Sequence, residues 1–441
     1  MNKFRKVMAL TLVGAMVISS AACGSKEKAA SNPKDTNEPF YVYSWNTEVG
    51  DRLEYFKKAY PQYADRIQYV NTGGSDTYQE KMDAILSTPD AEDYPDLMAL
   101  EADYIKKYVS SDYTLDVKDL GITADDYKNQ YQYTLEIPKD ERTGAIKGLS
   151  WQAAPGAMMY RRSLAKEYLG SDDPAVVQEF FKDWDTMLAT GKTINEKSGG
   201  ATKLFSGNDD VFRVYMAARE KAWVKDGKLV IDDRMLEYMD FNKTLEQENL
   251  TNKTTQWTEA WSANAASDST FAYMGCTWFL HWTIKPNSGG EAVGEGTFGD
   301  WAMTQGPQEY YWGGTWLSAT QKCSDTALAG LIMKFMTCDT DNMYQIADET
   351  LDYVNNKESV AKLIADKKGS FPFLGGQDFL EVFAPLAEKV NVSTMTAYDQ
   401  TINKIFDDQL KEYAVGNKDK ETALADFKNA VLDTYPNLTI E

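Results

Sequence analysis

The chain has a single histidine, His281, in 441 residues, and only four cysteines. One imidazole nearly removes metalloenzymes and His-based catalytic triads. In "WFLHWTI" that histidine is expected to be packed or hydrogen-bonded rather than reactive. After Cys23, the cysteines are Cys276, Cys323 and Cys338, an odd count with no C-x-x-C spacing. Such a set makes neither a metal site nor a disulfide framework. It leaves room for one disulfide whose partners the sequence does not name. Cys323 and Cys338 flank an expected helix, which if straight holds them too far apart to bridge. Basic residues are also scarce, with 46 Lys and Arg against 67 Asp and Glu. That balance argues against nucleic acid, whose phosphates need basic partners. There is no Gly-rich phosphate loop and no apolar run long enough to span a bilayer as a helix.

What is present begins with a leader. Lys3, Arg5 and Lys6 precede an apolar run from Val7 to Ile18, the length of a signal-peptide core. Ser19, Ser20, Ala21 and Ala22 then lead into Cys23. A cysteine behind small residues at this point resembles a bacterial lipobox, although Ser20 stands where that pattern usually has leucine. The resemblance implies cleavage after residue 22 and lipidation of Cys23. Losing three basic residues with the leader lowers the formal net charge of −21 by three, to −24. Residues 23–38 are polar, charged and free of aromatics, which predicts a flexible tether.

The remaining body, roughly 400 residues, is too long for one core and suits two lobes. "FYVYS", "RIQYVNT" and "PDLMALE" read as strands. "GDRLEYFKKAY" and "DTYQEKMDAILST" between them read as helices. This alternation predicts an α/β unit with a parallel sheet. Residues 171–300 are expected to be more helical, with helices over 176–188, 210–223, 234–246 and 255–266. "YWGGTWLSAT" returns as a strand, "ALAGLIMKFMT" as an apolar helix, and 394–436 as amphipathic helix broken at "GNKDK".

Five segments carry a family resemblance in order. "YVYSWNTEV" is similar to a first strand and binding loop, and "YPDLMALEADYIKKY" to a third strand and helix. "KGLSWQAAPGAMMYRRSLAKEYL" resembles a crossover, with Arg161 and Arg162 where the pattern has Asn-Lys. "FAYMGCTWFLHW" and "YYWGGTWLSATQKCSDTALAGLIMKFM" resemble two later landmarks. Together they resemble the extracellular solute-binding proteins of ABC sugar importers (family 1, maltose-binding-protein-like). The resemblance implies a two-lobed type II fold of the periplasmic-binding-protein kind, with a ligand cleft between the lobes. Residues 38–148 plus 313–365 would form the first lobe, and 149–312 plus 366–441 the second. It also implies an extracytoplasmic monomer without cofactor, which hands its solute to the transmembrane subunits of a permease.

A sugar has polar hydroxyls on its edge and apolar C–H faces, so its site needs aromatics, carboxylates and amides together. Trp45, Asn46 and Glu48 follow the first strand, and Glu101 and Asp103 end the third. Trp151 and Tyr160 lie in the crossover. Trp278 follows Gly275, where the family pattern places a second-lobe contact. In "YYWGGTWLSA", strand alternation would put Trp312, Gly314 and Trp316 on one face, with Gly314 leaving a gap there for a flat ligand; Gly313 beside it is a further candidate contact. Phe373 and Arg213 are further candidates. Trp184, Trp223, Trp257, Trp261 and Trp282 are expected in the core because they sit at helical spacing. These residues favour a neutral oligosaccharide. A peptide or another solute remains open, as does a secreted glycoside hydrolase, which would need a pair of carboxyls at defined separation.

Overall fold

In the computed structural model, which describes residues 32–440, eleven strands form three sheets. The leader, Cys23 and most of the tether lie outside the described residues. In chain order the strands are β1 (Phe40–Ser44), β2 (Ile67–Asn71), β3 (Leu97–Glu101), β4 (Leu149–Ser150), β5 (Gly156–Arg161), β6 (Val224–Lys225), β7 (Lys228–Leu229), β8 (Ala272–Cys276), β9 (Trp301–Thr304), β10 (Thr315–Ala319) and β11 (Thr439–Ile440).

The first lobe is built on the order β2-β1-β3-β10-β4. β1, β2 and β3 pair in parallel as the strand–helix alternation predicts, while β10 runs antiparallel to β3 and β4. β3 is apolar over "LMAL" and buried on both faces, as expected of a strand covered by helices on each side. The helix Glu48–Ala59 carries Glu48 and Asp51 in its first turn and Lys57 and Lys58 in its last, matching the helix dipole. It stops before Pro61. The apolar helix Thr326–Thr337 packs against both it and β10.

The second lobe has the order β8-β5-β9, antiparallel throughout. Its helices differ from expectation in their limits. The stretch 176–188 holds two helices, Pro174–Glu179 and Trp184–Lys197, each opened by an aspartate cap at Asp173 or Asp183. Only Glu259–Ala263 of the expected 255–266 helix is α-helical, capped by Thr258. The C-terminal helices Asp399–Ala414 and Lys420–Thr434 pack on each other, break at the expected polar stretch, and the first of them packs against Asp233–Gln247.

Three segments cross between the lobes and are hydrogen-bonded to one another. Residues 151–155 receive Asn355 N–H at Trp151 O (2.8 Å) and give Ala153 N–H to Tyr353 O (3.0 Å). On the other side Trp312 N–H donates to Ala154 O (3.0 Å). β4 belongs to the first sheet, so the first crossing begins about two residues later than the sequence suggests.

The expected tether is not free to its end. Lys34 N–H donates to Asp325 (2.9 Å), and the buried Arg66 bonds Lys34 O (3.1 Å) and Asp325 (3.0 Å). Cys276, Cys323 and Cys338 are all free thiols.

Candidate functional site

The interlobe cleft has a volume of about 1030 Å³, at the upper end of the roughly 300–1000 Å³ of ordinary small-molecule sites. Its first-lobe wall is made by the carboxyl ends of β1 and β3, where ligands of open α/β sheets bind. β1 runs into Trp45 and Asn46, and the Asn46 side chain accepts Glu48 N–H (3.1 Å) at the start of the following helix. Trp45 is half-buried and held edge-on by Tyr78 and Tyr104, with centroids at 5.5 and 6.0 Å. Glu48 accepts the Trp151 indole N–H and the Gln152 amide, both at 3.1 Å. Arg52 lies 3.7 Å from Glu48 and 2.8 Å from Asp352. These bonds tie the wall to two of the crossing segments.

β3 ends in Glu101 and leads to Asp103, whose N–H donates to the Glu101 carboxylate (2.7 Å). Asp103 in turn accepts a two-pronged bond from Arg213 of the second lobe, one arm at 2.6 Å. Among the described residues this is the ion pair that joins the two cleft walls. Burial pushes the Glu101 carboxyl up to about 8, with the Asp103 charge adding to it. Burial likewise pushes Glu48 up to about 7, helped by Asp352. Both groups therefore hold a proton more readily than a free carboxylate, and a protonated carboxyl both donates and accepts.

The second-lobe wall is aromatic. Trp257, Trp278 and Trp312 form one cluster, with centroids 5.4–6.1 Å apart. The Trp278 indole N–H donates to Trp312 O (2.9 Å). The glycine pair makes this approach possible. Gly313 has φ +72°, and a side chain there would meet the Trp278 indole nitrogen at 3.1 Å and the Glu101 carboxylate at 3.2 Å. Gly314 has φ +114°. Both values favour glycine. They also break the strand alternation on which the sequence expectation rested, because β10 starts only at Thr315. The Trp316 ring packs close to Gly314, which still borders the cleft.

The expected site residues separate accordingly. Trp45, Asn46, Glu48, Glu101, Asp103, Trp278, Trp312, Gly313, Gly314 and Arg213 line the cleft together. Four others do not. Trp151 is fully buried beneath the cleft and reaches it only through its bond to Glu48. Tyr160 points into the second lobe, where its hydroxyl donates to Asp172 O (2.8 Å). Trp316 is buried in the first lobe and donates to Thr134 O (2.8 Å). Phe373 packs in a second-lobe core against Trp301 and Phe298. In each case the ring is large enough to be wanted by the core, and crossover position alone does not lift it into the cleft.

Two cleft tryptophans were expected in the core. Trp257 is 55% exposed and precedes its helix at φ +71°, so it does not share a helical face with Trp261. The signal was Thr258, a strong helix cap that ends the helix short of Trp257. Trp282 is 76% exposed and lies in a π-helical turn, Leu280–Ile284, which no propensity marks. His281 is packed against Phe371 and Phe379 as expected, and burial beside Lys285 pulls its imidazole down to about 4. Among the described residues no group of three His, Cys, Asp or Glu side chains is placed to hold a metal ion, and no helix is long and apolar enough to cross a membrane.

Comparison with solved structures gives the same two-lobed architecture. A crystal structure described as an extracellular solute-binding protein of family 1 matches with a TM-score of 0.76 at 18% identity, over 89% of this chain and 98% of that one. The ABC-transporter-associated binding protein of B. animalis subsp. lactis Bl-04, in complex with beta-1,6-galactobiose, matches with 0.69 at 17% identity, over 92% and 99%. The galacto-N-biose-/lacto-N-biose I-binding protein of Bifidobacterium longum, in complex with lacto-N-biose, matches with 0.69 at 15%, over 92% and 100%. No curated protein matches the sequence. The family profile of the bacterial extracellular solute-binding proteins matches residues 52–370, most of the folded body. The chain belongs to the bacterial extracellular solute-binding proteins.

Proposed function

We propose that the protein captures a neutral oligosaccharide between its lobes and delivers it to the transmembrane subunits of an ABC permease. The observation that carries this reading is the pairing of an aromatic wall with a carboxylate-rich wall across one cleft. Indole faces suit the C–H faces of sugar rings, and carboxyl and amide groups suit the hydroxyls on their edges. A single pyranose has two faces and can use at most two stacked indoles. The cleft offers Trp45 from one side and a three-tryptophan cluster from the other, which favours several rings. Arg213 and Arg52 are both already paired with carboxylates, so among the described residues that line the cleft no free cationic cluster awaits a phosphate. Closure of the lobes around the ligand would present the loaded form to the permease.

The chain would act from the outer face of a bacterial cell membrane, as a monomer held by lipid on Cys23. Mass spectrometry of the mature N-terminus tests the anchor: an acylated Cys23 supports it, and an unmodified terminus elsewhere rejects it. The function is tested by titrating the protein calorimetrically with neutral oligosaccharides of differing linkage while following tryptophan fluorescence. Saturable binding with a fluorescence change, and recovery of the glycan unaltered, is the expected result. New reducing ends would instead identify a hydrolase, and a silent panel would direct the search to peptides.

A further inference from the structure

Trp282 is set apart from the other cleft aromatics. Trp278 and Trp282 are four residues apart, and on an α-helix they would lie one above the other. The helix Thr277–Phe279 instead widens into the π-turn Leu280–Ile284 directly after Trp278. Such turns recur at functional sites, because the extra residue re-aims the side chains that follow. Trp278 consequently stays half-buried in its cluster, whereas Trp282 is 76% exposed and has no aromatic ring beside it among the described residues. It nonetheless lines the cleft. Its neighbour His281 is buried against Phe371 and Phe379, close to the Leu351 backbone, and Glu349 and Thr350 of that adjoining segment line the same cleft, with Tyr55 bonded to Glu349. An indole this exposed forgoes most of its burial energy, and here it does so on the wall of a cavity already supplied with stacking surfaces.

We propose that Trp282 is an outer stacking platform that selects ligands by length, contacting only chains long enough to run from the Trp257–Trp278–Trp312 cluster out to the 349–352 rim. This rests on the carbohydrate reading of the cleft and adds to it that the preferred ligand has three or more rings. The separation of the two platforms carries the argument: an indole that served the same ring as Trp278 would remain in the cluster.

The test uses Trp282→Ala and Trp278→Ala beside the parent protein. Each is titrated calorimetrically with malto-, cello-, xylo- and galacto-oligosaccharides of two to six units. In whichever series the parent binds, Trp282→Ala is expected to leave the disaccharide Kd within about twofold and to weaken the longest chains by about tenfold, the size of one stacking contact. Trp278→Ala is expected to weaken every length. Because Trp282 is exposed, its variant should melt with the parent, which excludes misfolding as the cause. A loss in Trp282→Ala that is equal at all lengths, or absent at all lengths, overturns the inference and leaves the carbohydrate reading intact. A parent protein that binds no chain in any series overturns both.

Discussion

The two walls of the cleft are made differently. The first-lobe wall follows directly from strand ends: β1 delivers Trp45, Asn46 and Glu48, and β3 delivers Glu101 and Asp103. It is rich in carboxyls, two of them pushed up by burial. The second-lobe wall comes from irregular pieces, namely the turn before a short helix, a π-turn and a double-glycine crossing. It is rich in indoles. Regular elements hold polar groups at fixed spacing for hydroxyls, while irregular backbone turns large rings outward that would otherwise be buried. Neither wall suffices for a sugar, which needs edge and face contacts at once. A ligand that satisfies both therefore draws the lobes together.

Stripping the aromatic wall should have the largest effect. Trp312 is 5% exposed and packs on Phe279, Trp257, Trp278 and the Arg213 guanidinium. Trp312→Ala is expected to lower stability by about 3–5 kcal/mol and to abolish measurable binding, read by denaturant melts and calorimetry. Cutting the link between the walls comes next. Arg213→Gln leaves Asp103 without its cross-cleft partner. It should weaken ligand binding about fivefold, in keeping with ~1 kcal/mol for a partly exposed ion pair, and enlarge the unliganded protein in small-angle scattering.

Changing the acidic wall sharpens the contrast through pH. The Glu101 carboxyl sits at about 8 in the folded protein against an ordinary value of 4.5. The folded state thus holds its proton where the unfolded chain has lost it. Its contribution to stability is complete below about pH 4.5 and falls as the pH rises towards 8. Glu101→Gln should flatten the decline in melting temperature over that window, leaving a smaller decline that Glu48 produces up to about 7. The smallest effect is expected away from the cleft. The Lys357–Glu388 pair lies outside the cleft lining, and both side chains are exposed. Lys357→Ala should change stability by less than about 0.5 kcal/mol and binding not at all.

The same division explains what the sequence made legible. The strand–helix alternation of residues 40–101 is strongly periodic, and it led to the first sheet, its parallel core and its carboxyl-end residues. Ordered landmarks led to the two-lobed fold. The aromatic wall was harder, because tryptophan serves cores and ligands equally well. Trp151, Tyr160, Trp316 and Phe373 occupy conspicuous positions yet are drawn inward by packing and by hydrogen bonds to Glu48, Asp172 O and Thr134 O. Trp257 and Trp282 look like helix-core residues by spacing and are turned outward by a positive φ and a π-turn. Only the first of these left a trace, in the Thr258 cap. The glycine pair was singled out for its spacing within a strand; the structure places it just before β10, on the cleft lining, with Trp278 and Glu101 close to the Gly313 backbone.

The most direct test of the account is small-angle scattering of the protein with and without a saturating oligosaccharide identified by calorimetry. Capture between opposed walls predicts a smaller radius of gyration in the saturated protein at unchanged mass. An unchanged radius at full calorimetric saturation would contradict it, placing the ligand on one wall alone.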